Sequence, residues 1–116
     1  MVFVIAAALF VFAALAGLTM AYIGFTKKRN PPFPLVLLHG AVAITALVTL
    51  LWGVLRSDRG GPVAWALGLF FVAALGGFFL FSYHIRGRQL PSPVIAIHGT
   101  LAVTALVMLL AGIIAG

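Results

Sequence analysis

The chain has 116 residues, of which 65% are hydrophobic and only 7% are charged, and its mean hydropathy is +1.30. This composition excludes a water-soluble globular domain and predicts an integral membrane protein. The formal net charge is +6 and cysteine is absent, which excludes disulfides, thiolate metal sites and covalently attached haem. We therefore expect the chain to be surrounded by the lipid bilayer, and we expect no nucleic-acid partner.

Four apolar runs are long enough to cross the hydrocarbon core of a bilayer, which needs about 20 residues. They extend from Val2 to Phe25, from Pro34 to Leu55, from Pro62 to Tyr83 and from Pro91 to Ala115. The first run is followed, not preceded, by basic residues, so it is predicted to be a retained span and not a signal peptide. The sequence thus predicts one all-α membrane domain, residues 1–116, folded as a four-helix bundle.

The chain repeats itself at an offset of 59 residues. Residues 29–53 match residues 88–112 at 13 of 25 positions without a gap. Repeat 1 is assigned to residues 1–57 and repeat 2 to residues 60–116. Because each copy has two spans, both copies enter the membrane in the same orientation and the second and fourth spans run parallel. At this offset Gly17 of the first span aligns with Gly76 of the third.

Basic residues gather in two of the three connections. Lys27, Lys28 and Arg29 separate the first and second spans, and Arg86 and Arg88 separate the third and fourth. Both clusters fall on one side of the membrane, which the positive-inside rule predicts to be cytoplasmic. We expect a multi-pass protein of a bacterial or archaeal cell membrane with both termini on the outer side.

The positions that the repeats share form one face of each helix. The spacing along this face is 4, 3, 4 and 3 residues, as in a helix seam. The seam comprises His39, Ala43, Ala46, Leu50 and Gly53 in the second span, and His98, Ala102, Ala105, Leu109 and Gly112 in the fourth. Small residues allow helices to pack closely in lipid, so the pattern predicts direct contact between the second and fourth spans.

His39 and His98 lie on these seams at matching depth. An imidazole that faced lipid would be an unsatisfied polar group, so both rings are expected to face the bundle interior and to have a partner. Haem iron accepts two imidazoles in trans, and Ala43 and Ala102, one turn further along, leave room for a flat macrocycle. The sequence therefore predicts one haem b held between the two histidines.

Glycines and arginines near the histidines favour the same interpretation. Gly40 and Gly99 directly follow the histidines and remove side-chain bulk where a porphyrin edge or a backbone must approach. At 1.5 Å per residue the histidines lie about 7 to 8 Å from the inner starts of their helices. Arg29, Arg86 and Arg88 are therefore candidates to pair with the haem propionates.

The arrangement resembles that of the membrane cytochromes b, whose helical bundles hold haem between histidines on different spans. The resemblance is one of architecture, since no family-specific motif covers the chain. It implies electron transfer near the cytoplasmic face or with quinone, alone or as the haem-bearing subunit of a larger complex. A homodimer or a redox partner with a second centre would extend the path. Hydrolytic catalysis is not expected, because the spans contain no Asp or Glu.

Two other functions fit the same residues. In a non-redox accessory subunit the seams would serve assembly, and the histidines would only hydrogen-bond across a helix interface. In a subunit that binds a (bacterio)chlorophyll-type pigment, one histidine would suffice as a magnesium ligand. His84 lies outside the repeated pattern, because its counterpart is Phe25. We expect it to reach into the headgroup region; a propionate contact, a proton path or alternative ligation are further roles for it.

Overall fold

The structure, a computed structural model, describes residues 1–116 as four helices joined by short connections. The helices are α1 (Val2–Lys27), α2 (Phe33–Leu55), α3 (Pro62–Ile85) and α4 (Ser92–Ala115). All four are long and apolar enough to cross a membrane. The predicted all-α, four-span fold is confirmed, and no predicted boundary differs from the observed one by more than two residues.

The ends of the helices follow from local chemistry. Pro34, Pro62 and Pro93 lie in the first turns of α2, α3 and α4, where a backbone N–H has no helical partner to lose. Lys28 follows α1 with φ 51°, and Gly87 lies beyond α3 with φ 68°, both in the left-handed region that ends a helix. We call the end of the bundle with these two connections the basic end, and the opposite end, with both chain termini, the terminal end.

The four helices form two hairpins, α1 with α2 and α3 with α4. Each hairpin is closely packed, and the hairpins meet through α1 against α4 and α2 against α3. The predicted close packing of the second span on the fourth is wrong, because α2 and α4 lie on a diagonal and their Cα atoms nowhere approach within 8 Å. Their side chains do meet, at His39 and His98. The seams face the bundle axis instead, where α1 and α3 also bury them.

The buried core occupies the half of the bundle near the terminal end. Phe10 of α1 and Phe70 of α3 stack across the axis, with ring centroids 3.6 Å apart and an interplanar angle of 2°. The remaining core residues are Phe3, Ala6, Ala7, Ala46, Leu50, Val63, Ala66, Ala105 and Leu109. Toward the basic end, the helix interiors are mostly only half-buried. The bundle is therefore tightest at one end.

The two halves of each repeat follow different offsets. Equivalent residues of α2 and α4 are 59 apart, whereas Phe10 and Phe70 occupy equivalent places 60 apart. At an offset of 60, residues 3–17 are identical to residues 63–77 at 7 of 15 positions. The predicted alignment of Gly17 with Gly76 is therefore wrong by one residue. The first repeat thus has one residue more than the second. This extra residue lies in α1, between Gly17 and Lys28, whose φ is positive.

A close contact at the terminal end gives a stability test. A Cβ atom on Gly112 would lie 2.6 Å from Cγ2 and 3.2 Å from the backbone nitrogen of Val63. Gly112→Ala is expected to lower the free energy of unfolding by about 1 to 3 kcal/mol, because the backbone of α3 must move. Gly68→Ala is the control, since no atom lies within 4 Å of its Cβ position. Equal thermal midpoints in detergent would contradict the expectation.

Candidate functional site

The two seam histidines meet across the diagonal of the bundle. Each lies six residues after the first residue of its helix, about 9 Å along the axis. The ring centroids of His39 and His98 are 6.3 Å apart, and the ring planes are nearly perpendicular, at 81°. Both side chains are half-buried. The structure thus brings the two imidazoles together at one depth.

Each imidazole is held by the other helix of its own hairpin. Nδ1 of His39 lies 2.8 Å from the carbonyl oxygen of Ala13, and Nδ1 of His98 lies 2.7 Å from that of Ala73. A carbonyl oxygen only accepts, so Nδ1 carries the hydrogen in both rings. In a neutral imidazole this leaves the lone pair on Nε2, which makes no hydrogen bond within the chain.

Two glycines make room for the rings. A Cβ atom on Gly17 would lie 3.1 Å from Cε1 of His39, and one on Gly77 would lie 3.2 Å from Cε1 of His98. Both distances are tighter than ordinary van der Waals contact. Gly17 and Gly77 each lie one turn from the alanine whose carbonyl accepts the hydrogen bond. A glycine and a carbonyl of one helix therefore position each ring.

The other predicted site residues of the seam lie near the histidines but do not touch the rings in the same way. Ala43 and Ala102 are half-buried one turn toward the core. Cβ atoms on Gly40 and Gly99 would meet nothing within 4 Å. Gly99 faces an open groove between α1 and α4. The glycines that face the histidines are thus on α1 and α3.

The predicted arginines lie at the basic end. The guanidinium groups of Arg86 and Arg88 lie 4.8 and 5.5 Å from the ring centroid of Tyr83. Arg86 also donates from Nε to the carbonyl oxygen of Ser82 at 3.0 Å. Arg29 is exposed and makes no hydrogen bond within the chain. These cations therefore surround the basic end of the bundle and do not contact the histidines.

His84 joins the two hairpins at the basic end. Its Nε2 donates to the carbonyl oxygen of Pro31 at 2.8 Å, and its ring packs edge-on against Phe33. Beside it, Asn30 donates to the carbonyl of Arg88 at 2.8 Å and accepts from the N–H of Leu90 at 3.1 Å. These contacts give His84 a structural role in closing the basic end.

The sequence did not indicate that four residues of α1 and α3 position the imidazoles: Ala13, Gly17, Ala73 and Gly77. A usable signal existed, since Ala6, Phe10, Ala13 and Gly17 recur in α3 at the offset of 60. Every residue has a backbone carbonyl, however, so the sequence does not indicate which carbonyls accept the hydrogen bonds of the histidines. No cluster of three or more metal-ligating side chains forms in the chain, which leaves the histidine pair as its candidate ligand set.

No model of a protein family, no curated protein and no solved structure matches this chain. The fold and the site define a four-helix integral membrane protein with a histidine pair between α2 and α4.

Proposed function

We propose that the chain is a small membrane cytochrome of the b type, with one haem ligated by His39 and His98. The convergence of the two rings at one depth supports this proposal. Haem iron would be held by His39 and His98 only if both imidazoles reach one small region between the helices. The two ring centroids lie 6.3 Å apart.

The hydrogen bonds of the rings are the observation that carries the proposal. Metal-ligating histidines usually donate their other ring N–H to a carbonyl or carboxylate, which fixes the tautomer and the ring orientation. His39 and His98 both do so through Nδ1, to Ala13 and Ala73. A purely structural role would explain the Nδ1 bonds alone. It would not use the two Nε2 lone pairs, which have no hydrogen-bond partner within the chain.

The division into hairpins accounts for how a flat ring system would be admitted. Each ligand is held within its own hairpin, so the hairpins can separate without disturbing either Nδ1 bond. The core near the terminal end, including the Phe10–Phe70 stack, would stay closed. Separation is needed only toward the basic end, where burial is incomplete.

Haem would supply one-electron redox chemistry at this position. His39 and His98 would hold the iron, the carbonyls of Ala13 and Ala73 would orient the two imidazoles, and the stacked phenylalanines would exclude water from the core side. Arg29, Arg86 and Arg88 are the cations available to propionates that point toward the basic end. Since both ligands lie on the same side of the core, electrons would exchange at the basic end or within the bilayer.

The basic end is proposed to face the cytoplasm, with both termini outside. The chain contains no cysteine, so single cysteines report topology directly. Ser57→Cys, in the α2–α3 connection, is expected to react with a membrane-impermeant maleimide on intact cells. Gln89→Cys, in the α3–α4 connection, is expected to react only after the cells are opened. The reverse pattern would place the basic end outside.

The proposed function is tested by absorption spectroscopy of the protein purified in mild detergent, before and after dithionite. A Soret band that sharpens on reduction, with split α and β bands, is expected of a low-spin bis-histidine haem. A protein that is colourless as purified and remains colourless after haem is added would reject the cytochrome and favour an assembly role. A spectrum of a magnesium tetrapyrrole would favour the pigment-binding function.

A further inference from the structure

Five cations gather at the basic end of the bundle without an acid beside them. All five are exposed, and they are Lys27, Lys28, Arg29, Arg86 and Arg88. The single acid of the chain, Asp58, lies in the α2–α3 connection at the terminal end. The bundle is 43 Å long, so Asp58 is too far away to neutralise any of the five. The counter-charge for the basic end must therefore come from outside the chain.

Hydrogen bonds between the two connections bring the cations of both hairpins onto one surface. The side chain of Asn30 donates to the carbonyl of Arg88 at 2.8 Å and accepts from the N–H of Leu90 at 3.1 Å. His84 donates to the carbonyl of Pro31 at 2.8 Å. The cations are thus held together despite their mutual repulsion. The positive-inside rule accounts for cations in each connection, but it does not require hydrogen bonds that tie the connections together.

Two of the five cations are held against one aromatic ring. Both guanidinium groups lie near the ring centroid of Tyr83, at 4.8 Å for Arg86 and at 5.5 Å for Arg88. Arg86 uses Nε to bond the carbonyl of Ser82, whereas the side chain of Arg88 makes no hydrogen bond within the chain. A guanidinium presents five N–H donors in a planar fork that suits phosphate oxygens. The pair therefore offers unused donors to an anion at one place.

The arginine pair lies where an apolar track on the outside of α3 ends. Tyr83 is in the last turn of α3, which is the depth of the lipid headgroups. Phe79 and Leu75 precede it at intervals of four residues, so the three side chains share one face of the helix. Phe79 and Leu75 are both exposed, and the rings of Phe79 and Tyr83 are 5.2 Å apart. An acyl chain that follows this face ends at the two guanidinium groups.

We propose that Arg86 and Arg88 bind the headgroup of an anionic phospholipid. Its phosphate oxygens accept from the two guanidinium groups, and one acyl chain lies along Phe79 and Leu75. The basic end has no carboxylate to pair with the ammonium of a zwitterionic headgroup. The site therefore selects a headgroup of the phosphatidylglycerol type, which carries a phosphate without an ammonium. This inference does not depend on haem, since neither arginine contacts the histidines.

The test is native mass spectrometry of the purified full-length protein with added lipid. Phosphatidylglycerol is expected to bind more tightly than phosphatidylcholine with the same acyl chains. The double variant Arg86→Gln, Arg88→Gln is expected to lower the affinity for phosphatidylglycerol about tenfold or more, the effect of losing charge-assisted hydrogen bonds. The affinity for phosphatidylcholine should not change. Because the protein is in detergent, its orientation in the cell membrane does not affect the result.

The matched control is the double variant Lys27→Gln, Arg29→Gln. These two residues occupy the equivalent positions of the first repeat, at the offset of 59, and their removal changes the net charge by the same amount. Neither cation lies over an aromatic ring. Only the screened long-range attraction is lost, so the affinity for phosphatidylglycerol should fall by about threefold or less.

Three outcomes would overturn the lipid site. Equal losses of affinity in the two double variants would leave only a diffuse attraction between the basic end and anionic lipid. Equal binding of the two lipids to the unchanged protein would remove the selectivity for an anionic headgroup. Displacement of the lipid by an equal concentration of glycerol 3-phosphate would show that the arginines bind a soluble anion and that the apolar track contributes nothing.

Haem content measured in the same samples separates this proposal from the proposed function. Selective lipid binding that depends on Arg86 and Arg88, in a protein that cannot bind haem, would support the lipid site and reject the cytochrome. Haem in a protein without lipid selectivity would do the reverse. Loss of haem in Arg86→Gln, Arg88→Gln with unchanged lipid binding would assign the two arginines to the propionates and overturn the lipid site.

Discussion

Replacing either His39 or His98 by alanine is expected to abolish the low-spin haem spectrum, whereas His84→Ala is expected to keep it. A bis-imidazole site loses six-coordinate ligation when one ligand is removed, and both ligands occupy equivalent positions here. His84 is engaged at the basic end with the carbonyl of Pro31. The measurement is the reduced absorption spectrum together with haem bound per protein.

The variants also separate the alternatives. A magnesium pigment held by one imidazole would survive one of the two substitutions, because the remaining histidine suffices. In an assembly subunit none of the three variants would change a colourless spectrum. Loss of haem in His84→Ala but not in His39→Ala would contradict the proposed ligand set. Circular dichroism of each variant shows whether the helices remain folded.

Valine at Gly17 or Gly77 is expected to displace the imidazole that packs against it. The Cβ atom alone would lie 3.1 or 3.2 Å from Cε1 of the ring, and the γ-methyl groups of valine would extend further. The ring must then leave the carbonyl that holds its Nδ1. We expect haem content to fall markedly and the free energy of unfolding to decrease by about 1 to 3 kcal/mol.

The control for this prediction is Gly68→Val on α3. It makes the same change in composition within a membrane helix, but the Cβ position of Gly68 has no neighbour within 4 Å. Haem content and thermal midpoint are expected to stay near those of the unchanged protein. Equal haem content in Gly17→Val, Gly77→Val and Gly68→Val would show that close packing on α1 and α3 does not position the ligands.

The sequence was sufficient to predict the four helices, because uninterrupted apolar runs and first-turn prolines leave few other structures in lipid. It was also sufficient to single out His39 and His98, since a repeated polar residue in an apolar helix is conspicuous. The packing partner of the seams was not predictable in the same way. A 4-3-4-3 seam shows that one face of a helix is buried, but it does not show which neighbouring helix buries that face. Here α1 and α3 pack against α2 and α4.

The residues that orient the histidines were hidden by one inserted residue. The offset of 59 fits α2 and α4, which contain the longest match. It does not fit α1 and α3, which are related by an offset of 60. Gly17 was consequently paired with Gly76, and the common role of Gly17 and Gly77 was not visible. Helix rise alone predicts that the arginines lie near the histidines. It fixes the depth of a residue but not the direction of a long side chain, and the guanidinium of Arg86 lies over the ring of Tyr83.

Each imidazole is oriented by its own hairpin, so a haem ligated by both imidazoles would link the two hairpins. Helices in a bilayer gain no hydrophobic free energy by leaving lipid for one another, and the hairpins here touch less closely than the helices within them. The free energy of haem ligation would therefore stabilise the association of the two hairpins. The protein should unfold at a temperature that rises with haem occupancy, with separation of the hairpins as the step that the cofactor delays.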